Sequence, residues 1–173
     1  MENASKALIM AASILVGVMI ISIGVALFNS FSEFSRSTVQ KVEDAKIAEW
    51  NNNYLKYYGS YTDDNGKVRP IQVTAHDIVS IANNAKQNNI NYEFETKQNS
   101  DENSYYLQVI VENNKNFEFA TDEEKNKFLK ENSLIQNSDG KTYETKYYMC
   151  TACNISKITK KVNYIKFEEY KEK

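Results

Sequence analysis

Cys150 and Cys153 form a CxxC pair, the one motif in this sequence with established redox and metal precedents. A thioredoxin-type pair lies at a helix N-terminus, where the helix dipole lowers the thiol pKa, whereas this pair follows an aromatic, strand-like run. Zinc would need two further ligands, and the chain has one histidine and no second cysteine pair. The sequence therefore favours a structural disulfide between Cys150 and Cys153, with two free thiols as the main alternative and redox or metal chemistry as the third.

The single histidine and the acidic clusters do not make up a complete catalytic or metal site. His76 falls in the first turn of a predicted helix beside Asp77, and no nucleophile accompanies it. The acidic run at 63–66 resembles the start of a calcium loop but lacks the distal glutamate. The sequence contains no phosphate loop, dinucleotide fingerprint, nucleophile elbow or metalloprotease helix. We therefore predict a protein that is not an enzyme and that uses no cofactor and no metal.

Charge and composition narrow the classes of partner. The 173 residues carry a net charge of -2, with a pI near 5.6, which gives no overall attraction to phosphate. No stretch combines clustered Lys or Arg with aromatic stacking residues, so we predict no nucleic-acid partner. The abundance of Asn, Lys and Tyr often reflects an AT-rich genome, and we assign it no function. Tyrosine suits a half-buried sheet, so we expect most tyrosines in the core, with an exposed interface as the alternative.

An uncharged apolar run from Ala7 to Phe28 would carry the chain into a membrane. As a helix it is roughly 33 Å long at about 1.5 Å per residue, enough to cross a hydrocarbon core of about 30 Å. The rival interpretation is a secretory signal cleaved near 24–26. A signal has an apolar core of about 7 to 15 residues, and here the apolar character continues to Phe31. An uncleaved membrane anchor is therefore favoured, with membrane lipid as its partner.

Small residues within this run predict a seam for helix packing. Ser13 and Gly17 form a small-xxx-small pair, and Gly24 leaves a further shallow place on the helix surface. A neighbouring helix could approach closely there. Because Gly and Ser are ordinary in membrane helices, self-association and no association both stay open.

A second helical stripe follows the anchor. Ile47, Trp50, Tyr54 and Tyr57 recur at steps of three, four and three, and Gly59 ends the run. We predict that Trp50, Tyr54 and Tyr57 pack the following domain onto its own stalk. The predicted organisation is a transmembrane anchor helix over 1–34, an amphipathic stalk continuation over 35–58 and an α+β domain over 59–173.

Two short helices and several strands are predicted in that domain. Thr74 would begin the first helix, with Asp77 at the third helical position, and Thr121 with Glu124 forms a fuller capping box for the second. The period of two at 90–94 and again at 105–111 predicts an antiparallel hairpin. The segments 141–149 and 155–170 are rich in strand-forming residues. The predicted fold is therefore α+β, with a small antiparallel sheet.

Three stretches carry a resemblance to a known group of proteins. These are the opening Met1–Ile9 before the apolar helix, the series Trp50-Asn51, Tyr54, Tyr57 and Gly59, and the segment Val73–Asn89. Together they resemble small single-pass proteins of Gram-positive anaerobes with type IV pilin-like architecture. The resemblance covers roughly the first ninety residues and includes nothing that corresponds to the cysteine pair.

The resemblance implies a domain outside the cytoplasm, although the cations that follow the anchor slightly favour the cytoplasmic side by charge alone. By architecture it implies a structural, non-catalytic subunit of a pilin-like filament or surface assembly. The expected partners are then copies of this chain or related subunits. The alternative is a monomeric single-pass membrane protein whose extracytoplasmic domain binds a ligand or acts as a sensor.

Overall fold

The computed structural model describes residues 2–96, 98, 105–113, 116–133, 135–136 and 143–171. The helices are α1 (Glu2–Leu55), α2 (Ala75–Asn91) and α3 (Asp122–Ser133), with a short 3-10 helix at Phe117–Phe119. The strands are β1 (Ser60–Thr62), β2 (Val68–Pro70), β3 (Val73–Thr74), β4 (Gln108–Val111), β5 (Ile135–Gln136), β6 (Tyr143–Glu144), β7 (Tyr147–Ile155) and β8 (Val162–Glu169). The predicted α+β class is confirmed. The chain divides into two compact units, Met1–Lys46 and Ile47–Lys173.

α1 is one unbroken helix that runs through the predicted border between anchor and stalk at 34/35. The single proline of the chain, Pro70, lies outside it. Within the apolar part, the Ser13 hydroxyl donates to the carbonyl of Ile9 and the Ser22 hydroxyl to that of Val18, both at 2.8 Å. Their polar groups are thus satisfied inside the helix, which suits a hydrocarbon environment.

α2 begins as the capping pattern predicts. The Asp77 amide donates to Thr74 Oγ1 at 3.2 Å, and the Thr74 amide donates to the Asp77 carboxylate at 3.1 Å. α3 begins with the same reciprocal pair between Thr121 and Glu124, at 3.2 and 2.7 Å. Both predicted helix starts are therefore confirmed. The buried face of α2 consists of small and branched apolar residues: Ala75, Ile78, Ile81, Ala82 and Ala85.

The predicted hairpin of 90–94 with 105–111 is wrong in its first strand. α2 continues to Asn91, and Glu93 then takes a positive φ of 63°. The cause is Asn89, a fully buried residue whose amide donates to the Leu107 carbonyl at 2.9 Å and accepts from the Leu107 amide at 2.8 Å. A helix side chain thus occupies the backbone groups that a partner strand would have paired.

The main sheet is mixed, so the predicted fully antiparallel sheet is also wrong. Its strand order is β3-β7-β8-β4; the β3–β7 and β7–β8 pairs are antiparallel, and the β4–β8 pair is parallel. All four residues of β4 are buried, as expected for a parallel strand covered on both faces. β7 and β8 confirm the strands predicted in the last third of the chain.

The hydrophobic core lies between α2 and this sheet. Its members are buried residues of α1, α2, the sheet and the 3-10 turn: Tyr54, Val73, Ile78, Ile81, Ala82, Ala85, Leu107, Val109, Val111, Phe117, Ala120, Tyr148, Val162, Ile165 and Phe167. Trp50 and Tyr57 pack against this cluster from its edge, as do the two cysteines.

Candidate functional site

The end of α1 is fixed to the start of β8 by two neighbouring residues. Asn51 donates from Nδ2 to the Lys160 carbonyl at 2.8 Å and accepts from the Val162 amide at 2.7 Å. The Trp50 indole N–H donates to the Val162 carbonyl at 3.0 Å. Of the three residues predicted to pack here, Tyr54 is buried, while Trp50 and Tyr57 are half-buried. The role of Asn51 was missed, although the aromatic-Asn pair of the resemblance contains it.

Replacing Asn51 by alanine should lower the free energy of unfolding by about 1 to 3 kcal/mol, because the buried Val162 amide loses its acceptor. Urea unfolding of the full chain in detergent, followed by the fluorescence of Trp50, the single tryptophan, measures this. Asn52→Ala is the matched control, since Asn52 is exposed on the same helix turn. Equal stability of the two variants would show that the Asn51 bonds do not hold α1 in place.

The cysteine pair lies within β7 and not at a strand end. Cys150 is opposite Phe167 and Cys153 is opposite Ile165, with a register shift that leaves Thr151 as an extra residue. Residues three apart in a regular strand face opposite sides. The bulge at Thr151 changes that alternation, so both sulfurs face the same side as the buried Phe167 and Ile165.

Both thiols are free in the structure, and their surroundings keep them protonated. Burial and then the neighbouring Cys153 raise the pKa of Cys150 to about 12, and burial raises the pKa of Cys153 to about 11. The Cys150 thiol donates to the Ala152 carbonyl at 3.4 Å. Such thiols are poor nucleophiles and poor zinc ligands at neutral pH. The disulfide between them stays a prediction.

Alkylation with iodoacetamide separates the two states of this pair. If the thiols are free, labelling at pH 8 should be at least about 100-fold slower in the folded chain than in urea, because the raised pKa values deplete the thiolate. If the predicted disulfide forms, the chain in urea should label only after a reductant is added. Rapid labelling of the folded chain would contradict both the burial and the disulfide.

The polar residues considered for catalysis or metal binding are dispersed. His76 is exposed in the first turn of α2. Asp63 is half-buried: Arg69 Nε lies 2.6 Å from its carboxylate, which also accepts the amides of Asn65 and Lys67. The hydrogen bond from Arg69 is the main cause that lowers the pKa of Asp63. Among the described residues, no cluster of His, Cys, Asp or Glu could hold a metal ion.

A buried polar cluster around Glu118 escaped the sequence analysis. Glu118 has no exposed surface; its carboxylate accepts the Tyr106 hydroxyl, the Val109 amide at 2.9 Å and Asn116 Nδ2 at 3.2 Å. Lys125, also buried, donates to the Glu118 carbonyl at 3.3 Å. Burial is the main cause that raises the pKa of Glu118 and lowers that of Lys125. The bond from the Val109 amide to Glu118 joins β4 to the 3-10 helix inside the core, so the cluster stabilises the fold.

A groove of about 340 Å³ lies between the end of α1 and α2, within the second unit. Its lining is two aromatic rings and five side-chain amides: Trp50, Asn53, Tyr54, Asn84, Gln87, Asn88 and Asn91. None of the seven side chains is charged at neutral pH. A larger depression along α3 is lined by residues of that helix alone, so no second element encloses it. The amide groove is therefore the better candidate for binding.

The small residues predicted to form a packing seam lie on one face of the apolar part of α1. Ser13, Gly17 and Gly24 lie within about 40° of one another around the helix axis, at about 100° per residue. Among the described residues, no atom beyond the adjoining residues and the backbone of the same helix lies within 4 Å of a Cβ placed on Gly17 or Gly24. This face is therefore open in the structure, and close contact there would have to come from another molecule.

The tyrosines are divided between core and surface. Among the tyrosines whose burial the structure describes, three are buried: Tyr54, Tyr106 and Tyr148. Five others are exposed: Tyr58, Tyr61, Tyr92, Tyr105 and Tyr147.

Comparison with protein-family models, with curated proteins and with solved structures finds no match.

Proposed function

We propose that this protein is a non-catalytic, single-pass membrane protein that serves as a structural subunit of a pilin-like filament or surface assembly. Its domain would lie outside the cytoplasm. The observation that carries the proposal is α1, a single helix that is long enough and apolar enough to cross a membrane. No residue in its most apolar window is buried. Large apolar side chains are exposed all around it, from Leu8 at 72 % to Ile23 at 55 %. A helix apolar on every side needs lipid or protein around it.

Assembly would use the face formed by Ser13, Gly17 and Gly24. Without a hydrophobic driving force between helices in lipid, association depends on close packing, which small residues permit. The two serine hydroxyls of this segment already donate to their own helix, so a neighbour would not need to supply a polar partner. The same helix continues to Asn51, whose bonds join the last turns of α1 to the residues at the start of β8.

Electron cryo-microscopy of sheared surface material tests the assembly. Filaments containing this chain are expected, and Gly17→Leu should reduce their yield by at least about tenfold, since a loss of about 1.4 kcal/mol per contact suffices. Val18→Leu is the matched control, because it adds bulk at the same depth on another face. A chain that fractionates with membranes as a monomer would overturn the filament. A mature product beginning near Leu27 and free of the bilayer would overturn the anchor as well.

A further inference from the structure

We propose that the groove between the end of α1 and α2 binds a neutral oligosaccharide. The groove is defined by the seven residues given above, which come from two helices of one compact unit. This inference does not depend on filament assembly, because no residue of the apolar part of α1 takes part in it.

The lining has the chemistry that sugar hydroxyls require. Each Asn or Gln amide presents an acceptor oxygen and two donor hydrogens, and a hydroxyl group both donates and accepts. Five such amides border the groove, and no carboxylate or cation is among the lining residues. Gln87 and Asn91 bond to each other, and Asn88 donates to Asn89 Oδ1 and the Tyr105 carbonyl, so Asn53 and Asn84 are the main amides for a ligand. A cationic ligand here would find no carboxylate on the lining and would meet the ammonium group of Lys161, which lies 5.4 Å from the Trp50 ring centroid. An uncharged, hydroxyl-rich ligand fits this set of side chains.

Two aromatic residues give the groove a rigid wall. The Trp50 indole is held by its bond to the Val162 carbonyl, and its ring centroid lies 5.0 Å from that of Tyr54. Trp50 stays half-buried, and Lys161 Nζ lies over its ring at 5.4 Å from the centroid, so a ligand meets only the part of the indole that this ammonium group leaves open. The negative ring face attracts the C–H groups of a sugar ring, and ligand sites commonly combine aromatic walls with a few polar groups.

The groove does not suit a peptide. An extended peptide binds to a sheet edge through free backbone groups, whereas here both walls are helices whose backbone groups are bonded internally. A helical peptide needs an apolar groove, and five of the seven lining residues carry amides. The volume of about 340 Å³ is near the lower end of the range of about 300 to 1,000 Å³ for ligand sites. The ligand portion held there is accordingly small, one or two sugar units of a chain.

Fluorescence titration of the full chain in detergent tests this inference. The probes are neutral tetrasaccharides of glucose, galactose, mannose and N-acetylglucosamine. Since Trp50 is the single tryptophan and lines the groove, binding should produce a saturable change in its emission. Asn53→Ala and Asn84→Ala should each weaken the binding of the responding sugar at least tenfold, because both side chains are exposed on the lining. Asn52→Ala, adjacent to Asn53 but outside the groove, should bind like the unmodified chain.

A response to at least one tetrasaccharide with this pattern of variants supports the inference. No response to any of the four would overturn it, as would equal binding by the Asn53 and Asn84 variants and the control. Saturable binding of an unstructured alanine-rich peptide, with no response to the sugars, would also overturn it. Failure of filament assembly would leave this titration unchanged, so the two proposals can fail separately.

Discussion

Glu118→Ala should lower the free energy of unfolding by about 3 to 5 kcal/mol, the largest effect expected of any single substitution considered. The Val109 amide, the Tyr106 hydroxyl and the Asn116 amide all donate to this carboxylate inside the core. Each buried group left unpaired costs about 1 to 3 kcal/mol. Urea unfolding of the full chain in detergent measures the loss. Glu123→Ala, an exposed change at the start of α3, should stay within about 0.5 kcal/mol.

Glu118→Gln separates hydrogen bonding from charge. Because burial raises the pKa of Glu118, the folded chain holds the proton more tightly than the unfolded chain. This contribution to stability is complete below the pKa of an unfolded glutamate, about 4.3, and is lost as the pH rises through the raised folded value. Glutamine should therefore cost less than alanine and should remove that part of the pH dependence. A pH profile identical in the glutamine variant and the unmodified chain would refute this account.

Asn89→Ala should cost about 2 to 4 kcal/mol, the second largest effect. The substitution removes the donor for the Leu107 carbonyl and the acceptor for the Leu107 amide, both in the buried interior. Two backbone groups would then be unpaired at the entry to β4. The loss should appear in urea unfolding and as faster amide hydrogen exchange at 107–111.

Asn84→Ala provides the control for this substitution. Asn84 is exposed on the same helix, so its removal should change stability by less than about 0.5 kcal/mol. If Asn89→Ala were as stable as Asn84→Ala, the amide of Asn89 would not be what replaces a partner strand beside Leu107. Because Asn84→Ala should be as stable as the unmodified chain, a loss of sugar binding by this variant would not be due to unfolding.

The sequence predicts best what is decided by neighbouring residues. The starts of α2 and α3 depend on pairs three residues apart, Thr74 with Asp77 and Thr121 with Glu124, and both pairs form. Alternation at 105–111 correctly indicates a strand. Its partner, β8, lies far along the chain, and no local pattern distinguishes that pairing from a hairpin.

Asn89 shows why the hairpin was predicted and why it does not form. In the sequence it belongs to an Asn pair typical of a helix end, after which a strand is plausible. Its role depends on a contact with Leu107, which periodicity cannot reveal. The groove was missed for a similar reason. Its amides belong to a composition rich in Asn, and only the folded chain brings Asn53 close to Asn84 and Asn88.

The parallel pair of β4 and β8 has a consequence for biosynthesis. β8 is the last strand of the described chain, and β4 has no other partner in the main sheet. A nascent polypeptide therefore lacks the strand partner of β4 until translation has passed Phe167. Non-local pairing of this kind is slow to form and prone to aggregation while incomplete. A product truncated before that point would leave the edge of β4 without its strand partner, a template for pairing with another chain.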